Sequence, residues 1–143
     1  MDTARRNKEL VRRYLGLYDR GDMDGAMTMC VEDYVWQGNA PQGQVVIRGK
    51  AALRSELEAF KAAMPDCRAE ILDMVAEGDM VAARLREYGH HTGTEWLGVQ
   101  PSGAYVEWFP FVFFRLEDGL LAEEWFTDDP YTILRCLGVK DPA

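Results

Sequence analysis

The chain has 143 residues, of which 48% are hydrophobic and 28% are charged, and its formal net charge is −8. This length and composition are typical of one soluble globular domain. The negative charge argues against a nucleic acid or an anionic membrane surface as partner, because either would need a basic face.

Membrane, secretion and disulfide signals are absent from the sequence. No segment is apolar over the roughly 18 residues that a membrane-spanning helix needs. The N-terminus is charged from its start and lacks the apolar region of a signal peptide. The three cysteines, Cys30, Cys67 and Cys136, are odd in number and widely spaced, which favours reduced thiols. We therefore expect a cytoplasmic protein.

The N-terminal half predicts helices separated by short strands. Residues 3–18 carry apolar side chains at helical spacing, and Gly21 ends this helix. Asp22 or Asp24 then caps a short second helix that runs to about Met29. The remaining predicted elements of this half are a strand at 34–37, a loop at 39–43, a strand at 45–47 and a helix at 50–64 that ends before Pro65.

The C-terminal half predicts antiparallel strands. Residues 68–76 and 80–90 form one hairpin, and residues 103–125 form a second across the turn Glu117-Asp118-Gly119. A last helical turn is expected at 130–137 and is closed by Gly138. Helices followed by long antiparallel strands indicate an α+β fold, in which helices cover a curved sheet and leave a pocket on its concave face.

The second hairpin contains the most informative residues. Its first strand is apolar at nearly every position, so both faces are expected to meet apolar material. If Leu116 pairs with Leu120, one face carries Trp108, Pro110, Val112, Phe114, Ala122, Glu124, Phe126 and Asp128. The opposite face then carries Phe109, Phe111, Phe113, Leu121, Glu123, Trp125 and Thr127. Pro110 indicates a bulge, because proline cannot donate a hydrogen bond within a sheet.

Several short motifs occur in the order found in one known family. They are Tyr18-Asp19-Arg20-Gly21-Asp22, Asp33-Tyr34-Val35, Arg48-Gly49-Lys50, Gly89-His90-His91-Thr92-Gly93, and Arg115 followed by Glu117-Asp118-Gly119 and Glu123-Glu124-Trp125. This ordered set resembles the SnoaL-like polyketide cyclases of the nuclear-transport-factor-two-like superfamily. The resemblance implies a single domain over residues 1–143, folded as a cone-shaped α+β barrel around an internal apolar pocket. It also implies a cyclase of secondary metabolism that needs no metal or organic cofactor.

The resemblance also locates the acid–base positions of the family. They fall on Val112 and Phe126, and a further polar position, a histidine in the family, falls on Gln37. None of these three side chains exchanges protons near neutral pH, so we expect catalysis mainly by positioning of the substrate. The candidate catalytic residues are Glu124, His91 and Asp129. The candidate pocket residues are Tyr14, Tyr34, Trp36, Gln37, Trp108, Val112 and Phe126.

Each candidate catalytic residue has a structural alternative. Glu124, if desolvated beside apolar neighbours, would have a raised pKa suited to acid–base chemistry, but it can equally pair with Arg84 or Arg86. Asp129 can cap the last helical turn, and His91 can be a strand-end residue without a role. A metal site is not expected, because the only two histidines, His90 and His91, are adjacent and point to opposite faces of a strand.

Two other functions remain open at this point. The chain can be a non-catalytic binding protein for an apolar metabolite, or a cofactor-free hydrolase, hydratase or isomerase that uses Glu124 with an aspartate. The expected partners are an apolar small molecule and a second copy of the chain. The copies would meet through the convex sheet face, at Phe109, Phe111, Phe113 and Trp125, with Leu121 in the same row. Residues 92–102 are expected to form a mobile lid over the pocket.

Overall fold

A computed structural model describes residues 2–40 and 43–140. The helices among these residues are α1 (Thr3–Asp19), α2 (Met23–Thr28), α3 (Lys50–Ala63) and α4 (Pro130–Cys136). The strands are β1 (Cys30–Ala40), β2 (Gly43–Arg48), β3 (Arg68–Glu77), β4 (Met80–His90), β5 (Tyr105–Trp108), β6 (Phe111–Glu117) and β7 (Leu120–Thr127). None of the described helices is long and apolar enough to cross a membrane.

All the described strands belong to one curved sheet that does not close into a barrel. The strand order is β2-β1-β7-β6-β4-β3, and β5 pairs with the free end of β4. The pairing of β1 with β7 is parallel, and the other pairs are antiparallel. The architecture is therefore the α+β fold with a curved sheet that the sequence predicts.

The helices cover the concave face of the sheet. α1 packs against β3 and β4, α3 against β1 and β2, and α4 against β5. On β4, Val81, Ala83 and Leu85 point into the core, whereas Arg84 between them is exposed, which is the alternation of a half-covered strand. Burial of these apolar side chains, together with Val11 of α1, provides the main stabilising contribution to the fold.

Helix boundaries follow local signals in the sequence. Asp22, not Asp24, caps α2, since its side chain accepts a hydrogen bond from the backbone N–H of Gly25 at 2.9 Å. Gly21 adopts a φ of 75° after α1, a conformation that glycine reaches without steric strain. α3 ends at Ala63, two residues before Pro65.

The first two strands are longer than the sequence predicts. β1 extends from Cys30 to Ala40 and β2 begins at Gly43, so Asn39, Ala40 and Gly43 belong to strands and not to a loop. Residues 41 and 42 of that predicted loop lie outside the described residues. The extension arises because β1 pairs with β2 along one edge and with β7 along the other.

The register of the second hairpin differs from the predicted one. The turn is at Asp118 and Gly119, whose φ values of 50° and 79° fit a two-residue type I′ turn. This two-residue turn pairs Leu116 with Leu121 and not with Leu120, and a bulge between Arg115 and Leu116 then shifts the register by one more residue, so that Arg115 pairs with Glu123. Beyond the bulge the shift is two residues, which leaves the predicted faces unchanged.

Two details at the ends of this hairpin follow from backbone chemistry. Leu121, which the prediction placed on the outer face, is fully buried because the bulge turns it inward. Pro110 interrupts the apolar strand, so β5 ends at Trp108 and β6 begins at Phe111. The Pro110 carbonyl still accepts a hydrogen bond from the Leu85 N–H at 3.0 Å, although its own nitrogen cannot donate.

Candidate functional site

A cavity of about 340 Å³ lies between the concave face of the sheet and the helices. Its wall is mostly apolar and aromatic, and it includes Tyr14 and Leu15 from α1, Phe60 from α3, and Val112 and Phe126 from the second hairpin. A concave apolar cavity of this size, with few polar groups, is typical of a small-molecule site.

Glu124 projects from β7 into this cavity. Its Oε1 accepts a hydrogen bond from the Tyr34 hydroxyl at 2.7 Å, and its Oε2 accepts one from the Trp36 Nε1 at 3.1 Å. Burial raises the pKa of Glu124 to about 7, although the two hydrogen bonds oppose this effect. A carboxyl group with this pKa can accept or donate a proton near neutral pH.

The predicted alternative of an ion pair between Glu124 and an arginine is wrong. Arg84 pairs with Asp73, and Arg86 pairs with Glu70 and Glu107. These arginines alternate with the buried residues of β4, so they lie on the opposite face of the sheet from Glu124.

The parallel pairing of β1 and β7 positions the donors of Glu124. Trp36 is the direct register partner of Glu124, and Gly38 is the partner of Phe126. The Trp36 ring stacks on the Phe126 ring with centroids 4.1 Å apart. A Cβ atom on Gly38 would lie 2.4 Å from the Phe126 ring, so glycine is needed there for this packing.

Asp128 is a second carboxyl group on the cavity wall. Its Oδ1 accepts a hydrogen bond from the Trp108 Nε1 at 3.0 Å, and its backbone N–H donates to the Asn39 Oδ1 at 2.9 Å. Burial raises the pKa of Asp128 to about 6, and the hydrogen bond from Trp108 partly offsets this rise. Glu124 and Asp128 are thus each oriented by the indole N–H of a tryptophan.

Glu87 is a cavity residue that the sequence analysis did not identify. It lies on β4 opposite Trp108 of β5, and burial raises the pKa of its carboxyl group well above the usual range. The negative charges of Asp128 and Glu124 raise this pKa further. A signal was present in the sequence, because Glu87 occupies the same alternating positions as the buried Val81 and Leu85.

Most of the predicted pocket residues share one cavity wall. The side chains of Tyr14, Trp36, Trp108, Val112 and Phe126 line the cavity with Glu124. Tyr34 is fully buried behind Glu124 and reaches the site through its hydroxyl group. Val112 and Phe126 are direct register partners, so together they form an apolar strip across β6 and β7.

Three predicted site residues lie away from the cavity, and their assignments are corrected accordingly. Gln37 follows Trp36 on β1 and points to the other face, where its Nε2 donates to the Glu123 Oε1 at 2.9 Å. His91 is fully buried, and its Nε2 donates to the Thr94 carbonyl at 2.7 Å. Asp129 caps α4 by accepting a hydrogen bond from the Thr132 N–H at 3.0 Å, as its structural alternative predicts.

The segment 92–102 covers one side of the cavity. Trp96 belongs to the cavity wall and packs against Phe60 and Trp108, with ring centroids 5.3 and 5.9 Å apart. The start of the segment is fixed to α3 by hydrogen bonds from the N–H groups of Gly93 and Thr94 to the carbonyls of residues 63 and 62. The segment thus has a base, Gly93 and Thr94, that is attached to α3, and a tip around Trp96 that lies over the cavity.

The described part of the chain has no group of three or more His, Cys, Asp or Glu side chains arranged to hold a metal ion. Glu87, Glu124 and Asp128 therefore line the same cavity without converging on one point. The site offers separated carboxyl groups in an aromatic enclosure, which is an arrangement suited to proton transfer and to recognition of hydrogen-bond donors or cations.

Comparison with solved structures shows what the whole chain is similar to. AclR from Streptomyces galilaeus, provisionally named a hydroxylase, is 27% identical, with a TM-score of 0.82 over 95% of this chain and 98% of that one. IdmH from Streptomyces antibioticus, provisionally named a polyketide cyclase, is 26% identical, with a TM-score of 0.79 over 93% and 99%. TsrD from Streptomyces laurentii is also 26% identical, with a TM-score of 0.81 over 96% and 98%.

A search of curated proteins finds no match to the sequence. A family model, in contrast, covers nearly the whole chain: the model described as SnoaL-like polyketide cyclase matches residues 8–137. The similarity of the fold to these structures agrees with this match, and the chain belongs to the SnoaL-like polyketide cyclase family.

Proposed function

We propose that this protein is a cofactor-independent enzyme that closes a ring in an apolar polyketide-type intermediate, with Glu124 as the proton-transferring group. The observation that carries this proposal is the carboxyl group of Glu124, which opens onto the cavity, is oriented by two hydrogen bonds and has a pKa of about 7. Membership in a cyclase family and the similarity to IdmH support the type of reaction.

Ring closure of a polyketide requires a proton to leave one carbon and another to reach an oxygen. Glu124 as carboxylate removes a proton from a carbon beside a carbonyl group, and the resulting enolate attacks a second carbonyl carbon. The alkoxide that forms then takes a proton back from Glu124. Asp128, whose lower pKa of about 6 leaves it ionised where Glu124 is ionised, can accept a hydrogen bond from a hydroxyl group of the substrate.

The location of Glu124 also accounts for the apolar residues at the acid–base positions that the family resemblance implies. Glu124 precedes Phe126 by two residues on the same strand, so both side chains point to the same face of the sheet. The proton-transferring group is thus displaced by one inward position along β7. Val112 and Phe126 would then serve as a wall that holds the reacting carbons near one another.

Turnover of a panel of linear and partly cyclised polyketide intermediates tests this proposal. Ring closure is followed by NMR for the wild type and for Glu124→Gln, with Glu77→Gln as the matched control on an exposed strand end. We expect Glu124→Gln to reduce kcat about 10²–10⁴-fold and Glu77→Gln to leave it unchanged. Full activity of a folded Glu124→Gln protein would contradict the role of Glu124.

A variant that changes the shape of the cavity distinguishes catalysis by proton transfer from catalysis by positioning of the substrate alone. If the cavity acts mainly by holding the substrate, Trp108→Ala should reduce kcat at least as much as Glu124→Gln. We expect the larger loss in Glu124→Gln, because Trp108 contacts the substrate but exchanges no proton in the proposed scheme. Binding of intermediates without any turnover would favour a non-catalytic binding protein.

A second candidate function is isomerisation or hydration catalysed by the same two carboxyl groups. The observation that favours it is that Glu124 and Asp128 titrate in the same range, near pH 7 and 6, so that one can donate while the other accepts. An isomerase would move a double bond in a small enone without forming a new carbon–carbon bond. The NMR spectra of the products distinguish this outcome from ring closure.

A further inference from the structure

We propose that the substrate of this cavity carries a protonated amine beside its apolar ring system, and that Glu87 is the side chain that recognises the amine. The inference rests on the proposed function, because it assigns a substrate class to the same cavity. It follows from the charge of the cavity wall, from the environment of Glu87 and from the aromatic rings around that residue.

Among the described residues, the cavity wall contains acidic side chains but no basic ones. Its carboxylic acids are Glu56, Glu87, Glu95, Glu124 and Asp128. No lysine, arginine or histidine is found among the described residues that line it. An anionic ligand, such as a carboxylate or a phosphate, would therefore meet repulsion without any compensating cation, whereas an ammonium group would be attracted to several carboxylates.

Two cavity carboxylates lack a partner among the described residues: Glu56, which is exposed, and Glu87, which is half-buried. Glu124 receives hydrogen bonds from Tyr34 and Trp36, and Asp128 receives one from Trp108. The described residues contain no hydrogen bond or ion pair to the Glu87 side chain, even though it lies on a strand inside the fold. Because this half-buried carboxyl group accepts no hydrogen bond from the protein, it is free to accept one from a donor on the ligand.

The charged groups near Glu87 do not take the place of a ligand as hydrogen-bond donor to its carboxyl group. The negative charges of Asp128, Glu124 and Asp19 raise the pKa of Glu87, and the positive charge of Lys61 lowers it. The Lys61 ammonium donates to the carbonyls of Asp19 and Cys67, at 3.1 and 2.7 Å, and does not line the cavity. It therefore reduces the negative potential at Glu87 without occupying the place of a donor inside the cavity.

Aromatic rings complete the environment that an ammonium group prefers. Trp108 is the register partner of Glu87 and lines the same cavity, and its ring lies 5.9 Å from that of Trp96 and 6.1 Å from that of Phe60. The faces of tryptophan and phenylalanine rings attract cations, most strongly where water is excluded. A carboxylate beside several such rings is a combination that favours a cation over a neutral hydroxyl group.

Three probes that share one ring system test the preference for an amine. 2-Naphthylmethylamine is cationic at pH 7, 2-naphthylmethanol is neutral, and 2-naphthoate is anionic. Titration calorimetry on the whole protein at pH 7 should give at least a tenfold lower Kd for the amine than for the alcohol, and no measurable binding of the naphthoate. Proton release should accompany binding of the amine, because a cation stabilises the ionised carboxylates.

Variants assign the preference to one residue. Glu87→Gln should bring the Kd of the amine close to that of the alcohol while leaving the alcohol bound, which also shows that the cavity is intact. Glu77→Gln, the same chemical change at an exposed position, should keep the full preference. Calorimetry in two buffers of different ionisation enthalpy should show that fewer protons are released in Glu87→Gln than in the wild type.

Three results would overturn the inference. They are equal or tighter binding of the alcohol by the wild type, failure of the amine to bind at millimolar concentration, and a preference for the amine that survives in Glu87→Gln. None of these touches the proposed function, which is judged by turnover in Glu124→Gln. Conversely, a selective amine site in a protein that closes no ring would leave the inference standing and reject the cyclase.

Discussion

At the scale of single residues, the protonation of Glu124 is the property that most affects the proposed chemistry. Burial in the cavity favours the neutral carboxyl group, whereas the donors Tyr34 and Trp36 favour the carboxylate. The two effects oppose each other, and the resulting pKa of about 7 lies where a proton can move in either direction. Two donors close to a buried carboxyl group are thus a means of setting its acidity.

Removal of one donor should shift the pH dependence of the reaction. With Glu124 as general base, kcat/KM is expected to rise as the pH increases through about 7. Tyr34→Phe deletes a hydrogen bond to the carboxylate, so the pKa of Glu124 should increase and the rising limb should move to higher pH. The pH–rate profile measures this shift, and Tyr131→Phe on the exposed face of α4 is the control. An unmoved limb in a folded Tyr34→Phe protein would contradict the assignment.

The same residues predict an unusual dependence of stability on pH. The folded-state pKa values of Glu124 and Asp128 are raised to about 7 and 6, above those of an unfolded chain, so the folded protein binds their protons more tightly. Their contribution to the free energy of unfolding therefore decreases as the pH rises from about 4 to 7. For Glu124 alone the decrease is at most about 3 kcal/mol, by the 1.36 kcal/mol that corresponds to one pKa unit.

Urea denaturation at pH 5 and pH 8 measures this contribution. Compared with the wild type, Glu124→Gln should lose less stability between the two pH values, because glutamine has no charged form to bury. Glu77→Gln should change by the same amount as the wild type, since this residue is exposed. A Glu124→Gln protein that shows the wild-type difference in stability would indicate that Glu124 is not desolvated.

At the scale of elements, the segment 92–102 combines a fixed base with a tip over the cavity. Gly93 is essential to the base, because a Cβ atom there would lie 1.7 Å from the carbonyl oxygen of Ala62. At the tip, Trp96 and Val99 form two backbone hydrogen bonds with each other, at 3.0 and 2.9 Å. A small closed turn of this kind can move as a unit while its base remains attached to α3.

Hydrogen exchange should separate the two parts of this segment. The amides of Gly93 and Thr94 are bonded to α3, so we expect them to be protected with and without ligand. The amides of residues 95–100 and of Ser102 should exchange quickly in the free protein and slowly when 2-naphthylmethylamine is bound, if the tip acts as a lid. Uniform strong protection of the whole segment in the free protein would rule out a lid.

The hairpin of β6 and β7 shows which part of an element is determined locally. Its turn follows from Glu117-Asp118-Gly119, because aspartate and glycine tolerate the positive φ values that a type I′ turn requires. The bulge after Arg115 has no such signal. It depends on how β6 packs against β4 and how Leu121 fits into the core, and these contacts form only in the folded sheet.

At the scale of the whole molecule, the convex face of the sheet carries a row of exposed aromatic side chains. Phe109, Phe111 and Phe113 are 50%, 55% and 51% exposed. An apolar row of this kind on an open sheet is unusual in a protein that stays monomeric, because it favours association. The prediction of a homodimer through this face therefore remains, without Leu121, which is buried.

Sedimentation at micromolar concentration tests the dimer. We expect twice the mass of the chain for the wild type, and the mass of one chain for Phe111→Asp, because a charge in the middle of the row would be buried on association. Tyr131→Asp is a matched control, since Tyr131 is 55% exposed on α4. A wild-type protein that sediments as a monomer would contradict the prediction.

Much of the fold follows from local properties of the sequence, and much of the site does not. Apolar periodicity, capping residues and turn residues act over a few positions, so α1, the cap of α2 by Asp22 and the turns of both hairpins were predictable. Glu124 was also predictable as an inward residue, because side chains alternate along a strand and one residue assigned to the inner face therefore assigns the others.

The tertiary structure decided which of these residues meet. The hydrogen bond from Trp36 to Glu124 joins positions 88 residues apart, and it depends on the parallel pairing of β1 with β7. Glu87 reaches the same cavity only because β4 pairs with β5 and brings it beside Trp108. A sequence pattern records the face to which a side chain points, but long-range strand pairing determines its neighbours, and those neighbours set the burial and charge that give each carboxyl group its pKa.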